Sequence, residues 1–543
     1  MGIRKRTLNH MDNFTLFRTD LIGQDTVIRT PFGDRRVTYA DHVASGRALR
    51  SSEAFIVERV LPLYANTHTD DSATGAMTTH LAHQACEYVK TQLGADKNCT
   101  LVWCGSGSTG AVKRLQEILG LAVPPTLLAK LRASFPPDER PVVFVGPYEH
   151  HSNEVTWRET LADVVEVPLC PRGGIDLDAL RTLLKAPEYR SRQKIGSFSA
   201  ASNVTGYLSD TRALARLLHA HGALAFFDFA ACAPYLKIDM RSGRPDGYDA
   251  VFLSPHKFAG GPGTPGLLCF QNQIYPAGAP TTAGGGTVSY VSRTAHHFVE
   301  DIEAREDAGT PAILGKIRTA LAFKAKERLG IDAIAEREHA LISRAIARLR
   351  THPRLQLLGN LDEPRLAVLS FLVRTEDSSM LHPRLVVRLL NDLFGIQSRG
   401  GCACAGPYGH ALLNIDDQTS QRYMHCALGG LGGLKPGWTR LNFAPWTSEA
   451  EFLFLLSALE FVADFGERFV PLYDMDFHTG TWTHPADQPL PDLFDFPVPA
   501  RQEGEVPYAA YLAQARELAS TLRSPEARPI PPEVPGELVF FSY

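Results

Sequence analysis

Through the first half of the chain, short apolar runs alternate with stretches whose apolar positions recur every three to four residues. Leu101–Cys104, Pro141–Gly146, Val164–Val167, Lys194–Ala200, Ala223–Phe229 and Val251–Leu253 are brief and apolar-rich, and read as buried strands. Helical periodicity covers 76–93, Ala111–Leu119, Ile175–Leu184 and 211–221. Strand and helix in such regular alternation predict a doubly wound, mostly parallel α/β sheet. Residues 1–35 carry no clear signal, and Pro125–Pro141 reads as a surface insertion. In the second half, helices at 312–328 and 332–351 precede an alternating stretch, Ala367–Val373, and a helix at Leu385–Phe394. A strand at Trp438–Phe443 and a helix from Ser448 to 465 complete a smaller α+β domain. From about 471 the chain turns Pro-, Asp- and aromatic-rich, with one helix at Tyr508–Arg523; this is an appended tail wrapping the body. The expected division is 1–60, an N-terminal segment packing on the small domain; 61–325, the large domain; 326–470, the small domain; and 471–543, the extension.

Each strand of the large domain empties into a polar cluster. In doubly wound sheets, ligands bind outside the carboxyl ends of the strands, so one crevice should gather Ser108 and Thr109, His150, Asn203, Asp228 and Lys257. Gly105-Ser-Gly-Ser-Thr-Gly110 matches a dinucleotide fingerprint, but no second strand closing on an acid follows it, and no Gly-Lys-Ser/Thr makes it a P-loop. A strand, a glycine/hydroxyl loop and a helix N-terminus still make a phosphate cradle. Asp228 sits in so apolar a strand that it needs a cation or donor. Lys257, just past Val251–Leu253, is placed for desolvation, which lowers an ammonium pKa and frees the amine for carbonyl chemistry. His150 and His151 adjoin but point apart on extended chain, and no metal site is expected there. Cys402 and Cys404 are two apart, poor spacing for a disulfide; Arg399 and the surrounding backbone N–H groups favour a reactive thiolate.

Composition narrows the class further. The 543 residues are 44% hydrophobic and 21% charged with a net charge of -4, which speaks for a globular chain and against nucleic acid or anionic membrane as partners. No apolar run approaches the roughly 20 residues of a membrane span. The basic start, Met1–Arg6, is followed by polar residues where a signal peptide needs an apolar core, and position 6 is not the Ser or Thr of a myristoylation site. Nine scattered cysteines point to reduced thiols and a cytoplasmic protein.

A phosphate cradle, a buried aspartate, a flat imidazole and a strand-end lysine together describe a site for pyridoxal 5'-phosphate. Ser254-Pro-His256-Lys257, Glu149-His150-His-Ser-Asn, Ser202-Asn203-Val-Thr-Gly206, Ala308-Gly-Thr-Pro311 and the loop Arg399 to Ala405 are the motifs in which the chain, over roughly Asp41 to Phe465, resembles the class V aminotransferase superfamily. Within it the chain is most similar to the cysteine desulfurase and selenocysteine lyase branch. The resemblance implies the PLP-dependent transferase fold type I, with Lys257 as Schiff-base lysine and Asp228 on the pyridinium nitrogen. It implies His150 stacked on the ring, Asn203 near the ring oxygen or substrate carboxylate, and Ser108, Thr109, Ser254 and His256 on the phosphate. Thr287 would reach in from the second subunit of a homodimer with shared active sites. Arg440, with Arg399, would take the carboxylate of an amino-acid substrate, a bidentate task that suits a guanidinium. Cys404 would be the nucleophile, taking sulfur from cysteine as a persulfide, leaving alanine and calling for a sulfur-acceptor protein. Four positions depart from the family pattern: Ala231 in place of Gln or His, Gly110 in place of Glu, and Cys402-Ala403 in place of histidines. A Gly-rich segment, Gly409–Lys435, has no counterpart. Two alternatives stand beside desulfuration: a C–S β-lyase, aminotransferase or epimerase with Cys404 incidental, and a non-catalytic scaffold.

Overall fold

The structure, a computed structural model, describes residues 13–276, 278–523, 525 and 528–543, so the basic Met1–Arg6 lies outside it. Seven strands form the large sheet: β1 (Cys99–Cys104), β2 (Val142–Val145), β3 (Asp163–Glu166), β4 (Lys194–Ser199), β5 (Ala223–Asp228), β6 (Ala250–Leu253) and β7 (Gly266–Gln271). Their order is β1-β7-β6-β5-β4-β2-β3. Six run parallel; β7, which the strand pattern above did not include, runs antiparallel between β1 and β6. β7 therefore presents its first residue, Gly266, at the edge where the other six present their last.

The apolar runs behave as strands covered on both faces require. Val142, Phe144, Phe198, Phe227 and Val251 pack into one core layer, and their neighbours Val143, Val145, Ile195, Phe226 and Phe252 into the other. Helices α1 (Ala73–Gln92), α2 (Gly107–Ile118), α3 (Leu177–Lys185) and α4 (Thr211–His219) accompany the sheet. Ser72, Asp176 and Asp210 cap α1, α3 and α4 by accepting from backbone N–H groups in their first turns. α2 has no such cap from its own N-cap residue; Ser108 N in its first turn donates instead to Ser254 Oγ of the loop after β6, and Gly107, Ser108 and Thr109 line the site.

Helices α5 (Ile313–Leu329) and α6 (Ile331–Leu349) lead into a second sheet of β8 (Leu355–Leu357), β9 (Val368–Val373), β10 (Arg399–Gly401) and β11 (Trp438–Asn442), ordered β8-β9-β11-β10. Helices α7 (Pro383–Phe394) and α8 (Glu449–Phe465) share a core with it, joined by Tyr511, Ala515 and Ala519 of α9 (Tyr508–Thr521) and by Phe541 of the tail. Among the described residues no helix is long and apolar enough to cross a membrane.

Three segments hold more structure than the hydrophobic pattern implied. Asn13–Asp20 is a helix, and Val27–Thr30 pairs with Gly33–Arg36 as a hairpin held to the end of α7 by Arg35 Nε donating to the Leu393 carbonyl (2.6 Å). Pro125–Ser134 is helical but buries no residue fully, which is why it carries no core signal. Gly406–Leu413 and Asp417–Leu428 are two helices where glycines had obscured the periodicity.

Candidate active site

A cavity of about 400 Å³ opens at the carboxyl edge of the large sheet, between it and the small domain. It is lined by Ser108, Thr109, His150, Asn203, Asp228, Ser254, His256, Lys257, Arg399, Cys404 and Arg440. Thr287 is not among the lining residues: it is buried, and its hydroxyl donates to the Gly284 carbonyl at 2.8 Å within its own turn. In a single chain it stands outside the cavity that the other predicted site residues share.

One end of the cavity is built of N–H and hydroxyl donors. The chain leaves β1 through Gly105 and Ser106 and enters α2 at Gly107, whose φ of +54° only glycine adopts without strain. A Cβ on Gly107 would also stand 2.9 Å from Ser254 Oγ. That close approach lets Ser108 N donate to Ser254 Oγ at 2.8 Å, fastening the loop after β1 to the loop after β6. Thr109 and Ser152 share a hydroxyl hydrogen bond of 2.6 Å. An uncapped helix start with two hydroxyls and the His256 imidazole, which burial holds below its usual pKa, is a cradle for a phosphate.

At the base, Asp228 is the last residue of β5 and accepts from Ala230 N at 2.8 Å. Burial pushes its carboxyl up, while the Ala230 N–H and the Lys257 ammonium pull the other way. Lys257, on a single turn of 3₁₀ helix after β6, is pushed down by burial; Asp228 opposes this and Arg440 adds to it. The pair therefore sits where both charges cost free energy and each lowers the other's cost. His150 is lowered to about 4, chiefly by burial and then by Lys257, so its imidazole is neutral at pH 7. Its Nδ1 accepts from Ser152 N (3.1 Å), which puts the proton on Nε2. Behind it Glu149, raised to about 7 by burial, accepts from Ser199 N (2.8 Å), Ser199 Oγ (2.6 Å) and Asn153 Nδ2 (2.7 Å), locking the end of β4.

The small domain supplies the roof. Arg399 and Arg440 face one another across β10 and β11. Both are held by Asp41, which sequence reasoning had not assigned a role: its Oδ2 accepts from Arg399 Nε (3.0 Å) and its Oδ1 from Arg440 Nη2 (3.1 Å). Arg440 Nη1 donates to the Asn203 carbonyl at 2.8 Å. The Asn203 side chain points its Nδ2 at the Ala403 carbonyl (2.8 Å), leaving its buried Oδ1 without a partner. Cys404 is exposed at the mouth of the cavity, in a turn closed by Ala405 N donating to the Cys402 carbonyl at 3.1 Å. Ala403 (φ +48°) and Cys404 (φ +57°) are both left-handed, costing roughly 1 kcal/mol each. His151 helps hold the turn: its N–H donates to the Cys404 carbonyl (2.9 Å) and its Nε2 accepts from Gly406 N (3.0 Å). The two adjacent histidines thus serve different elements, one the cavity floor and one the cysteine turn. Only the pairing of His151 with a turn some 250 positions away shows this, and no local signal marks it.

Residues 39–423 match the family model for aminotransferase class-V. A probable cysteine desulfurase from Halalkalibacterium halodurans is 30% identical over 269 residues, covering 49% of this chain and 62% of that relative's length. One from Streptomyces coelicolor is 25% identical over 457 residues, covering 83% of this chain and 98% of the relative. Among solved structures, the apo cysteine desulfurase from Thermococcus onnurineus superposes with a TM-score of 0.63 at 22% identity, covering 79% of this chain and 95% of that one. At that identity the likeness concerns the fold.

Proposed function

The chain belongs to the class-V aminotransferase family and is a pyridoxal 5'-phosphate enzyme of fold type I; from that premise we propose that it is a cysteine desulfurase, converting L-cysteine to L-alanine with the sulfur carried on Cys404. The donor set of the cavity fits the coenzyme. Hydroxyls and an open helix start suit its phosphate, Lys257 its aldehyde and Asp228 its ring nitrogen, and the unpartnered Asn203 Oδ1 offers an acceptor at the roof. When bound, the coenzyme supplies an electron sink next to the amino acid's Cα.

The chain's own residues do the rest. Asp228, its anion favoured by the Ala230 N–H and by Lys257 against the cost of burial, would keep a proton on the coenzyme's ring nitrogen. Lys257, its pKa lowered by burial, would be the residue that holds the coenzyme's aldehyde, and its Nζ would be the group that holds or moves a proton beside the substrate's Cα. The neutral His150 ring gives a flat surface with Nε2–H available as a donor. Arg440 and Arg399 orient the substrate carboxylate. Cys404 Sγ takes the sulfur: an S–S bond forms as the substrate's Cβ–S bond breaks, so that cysteine and thiol become alanine and persulfide with no other reactant consumed.

The observation carrying this reading is the position of the Cys404 turn, clamped by His151 and Asn203 at the mouth of the cavity that holds Lys257 and the arginine pair. The test is sulfide and alanine release from L-cysteine by the holoenzyme. Cys404→Ala should abolish both; a variant that still releases sulfide or pyruvate would make the protein a β-lyase, and activity only on other amino acids an aminotransferase or epimerase. The same reading includes a homodimer with shared active sites, in which Thr287 would serve the partner's cavity only once its buried hydroxyl is released from the Gly284 carbonyl. Leu61, Leu63 and Tyr64, consecutive or nearly so and all exposed, with exposed Tyr290 and Val291, are apolar groups that a second copy could cover. The reading includes a sulfur-acceptor protein meeting the exposed Cys404 turn. It also includes a cytoplasmic location, supported by nine free cysteines, which a reducing compartment would keep as thiols.

A further inference from the structure

Arg399 and Arg440 occupy directly opposed positions on neighbouring antiparallel strands, where like charges repel. The chain meets this with a carboxylate from far away in sequence. Asp41 follows the two-residue strand Thr38–Tyr39, which is held to the small domain by parallel pairing with Ile396–Gln397. It places one oxygen on each guanidinium, at 3.0 and 3.1 Å. Asp41 is 8% exposed and Arg440 4%, so the Asp41–Arg440 half of this interaction is shielded from solvent and from salt. Arg440 has a further partner in the Asn203 carbonyl. Arg399 is half exposed and gives Asp41 its Nε, which leaves the two Nη nitrogens for another acceptor.

Two guanidinium groups and one carboxylate leave the roof of the cavity with one net positive charge. One ligand carboxylate brings it to neutrality. A ligand with a second anionic group would leave an uncompensated negative charge against walls that screen poorly. We infer that Asp41 is a specificity-determining residue, holding the carboxylate subsite at a single positive charge and so confining the enzyme to amino acids with a neutral side chain. The inference rests on the assignment of Arg440 and Arg399 to the substrate carboxylate, and it is tested by binding rather than by desulfuration.

Holoenzyme is titrated with L-alanine and with L-aspartate, and the change in coenzyme absorption gives a dissociation constant for each. Asp41→Asn should shift the aspartate-to-alanine affinity ratio toward aspartate by about tenfold or more, as expected for removing one charge a few ångströms from another at an effective dielectric of about 20. Asp41→Glu should keep the wild-type ratio. A ratio in Asp41→Asn within about twofold of wild type overturns the inference. Should that variant fail to hold coenzyme, Arg399→Gln decides: with the net charge at zero, the ratio must move toward alanine, and an unmoved ratio overturns it equally. A wild type that binds alanine over aspartate but releases no sulfide from cysteine refutes the desulfurase reading and leaves this one standing. A wild type that responds to neither amino acid refutes both.

Discussion

Gly266 offers the sharpest test of how the site is assembled. It is the first residue of β7 and pairs with Cys104 at the end of β1. A Cβ at Gly266 would lie 1.9 Å from the Gly107 carbonyl oxygen, 2.6 Å from its carbon and 2.9 Å from its Cα. Ordinary contact begins near 3.4 Å, so Gly266→Ala demands a separation of about 1.5 Å (3.4 − 1.9) between backbone atoms, with no flexible side chain to absorb it. β7 is held by ladders on both sides, so the loop at Gly107 must give. That loop cannot move toward β6, because Ser254 Oγ already abuts Gly107. The Ser108–Ser254 hydrogen bond and the aim of the first N–H groups of α2 are lost together. Two hydrogen bonds to a charged phosphate at about 1.5 kcal/mol each amount to about 3 kcal/mol, or about a hundredfold in the coenzyme dissociation constant. The assay is reconstitution of apoprotein followed by coenzyme absorption. Gly536→Ala in the tail, where a Cβ makes only an ordinary contact with Ile530 Cδ1 at 3.5 Å, is the control. A folded Gly266→Ala protein that binds coenzyme within about threefold of wild type would refute the reasoning.

Three further outcomes are expected. His151→Ala removes the acceptor of Gly406 N, worth about 1 kcal/mol; Cys404 should react several-fold faster with iodoacetamide while coenzyme absorption is unchanged, and an unaltered rate would show that His151 does not hold the turn. Asp228→Asn cannot stabilise a protonated ring nitrogen, and turnover at saturating coenzyme should fall by about a hundredfold or more; near-normal turnover would remove Asp228 from that role. The third concerns pH. Burial raises Glu338 from 4.5 to about 8, so the fold keeps a proton that the unfolded chain has lost. Its contribution to stability is complete below 4.5 and disappears as pH rises toward 8. His382, lowered by burial from 6.5 to about 4, works oppositely: its contribution is present above 6.5 and disappears as pH falls toward 4. Denaturant midpoints measured across pH 4.5–8 should decline less steeply toward alkaline pH in Glu338→Gln than in wild type, and parallel profiles would count against a buried neutral carboxyl.

Much of the large domain was legible in the sequence because buried parallel strands are apolar on both faces. Runs such as Val142–Val145 and Ala223–Phe227 announce themselves without any partner. Their carboxyl ends then locate Ser108, His150, Asp228 and Lys257, since a doubly wound sheet has only one edge where such ends meet. β7 escaped notice because its apolar residues follow directly on a glycine-rich loop, and its reversed direction leaves no local mark. The helices at Gly406–Leu413 and Asp417–Leu428 were hidden by flanking glycines and by faces that bury little.

What the sequence determined by itself was thus the class of fold and the kinds of group at its edge: an acid, an amine, an imidazole, hydroxyls and thiols, each tied to a strand by its neighbours. What only the tertiary structure decided was which groups meet. Asp41 reaches arginines 358 and 399 positions away, His151 props a turn near Cys404, and Gly266 clears room for Gly107. The physical reason is that periodicity records whether a side chain faces the core or water, a local property of the backbone. The partner of a charge or of a close-packed glycine is set by where distant segments come to rest, and that depends on the whole fold at once.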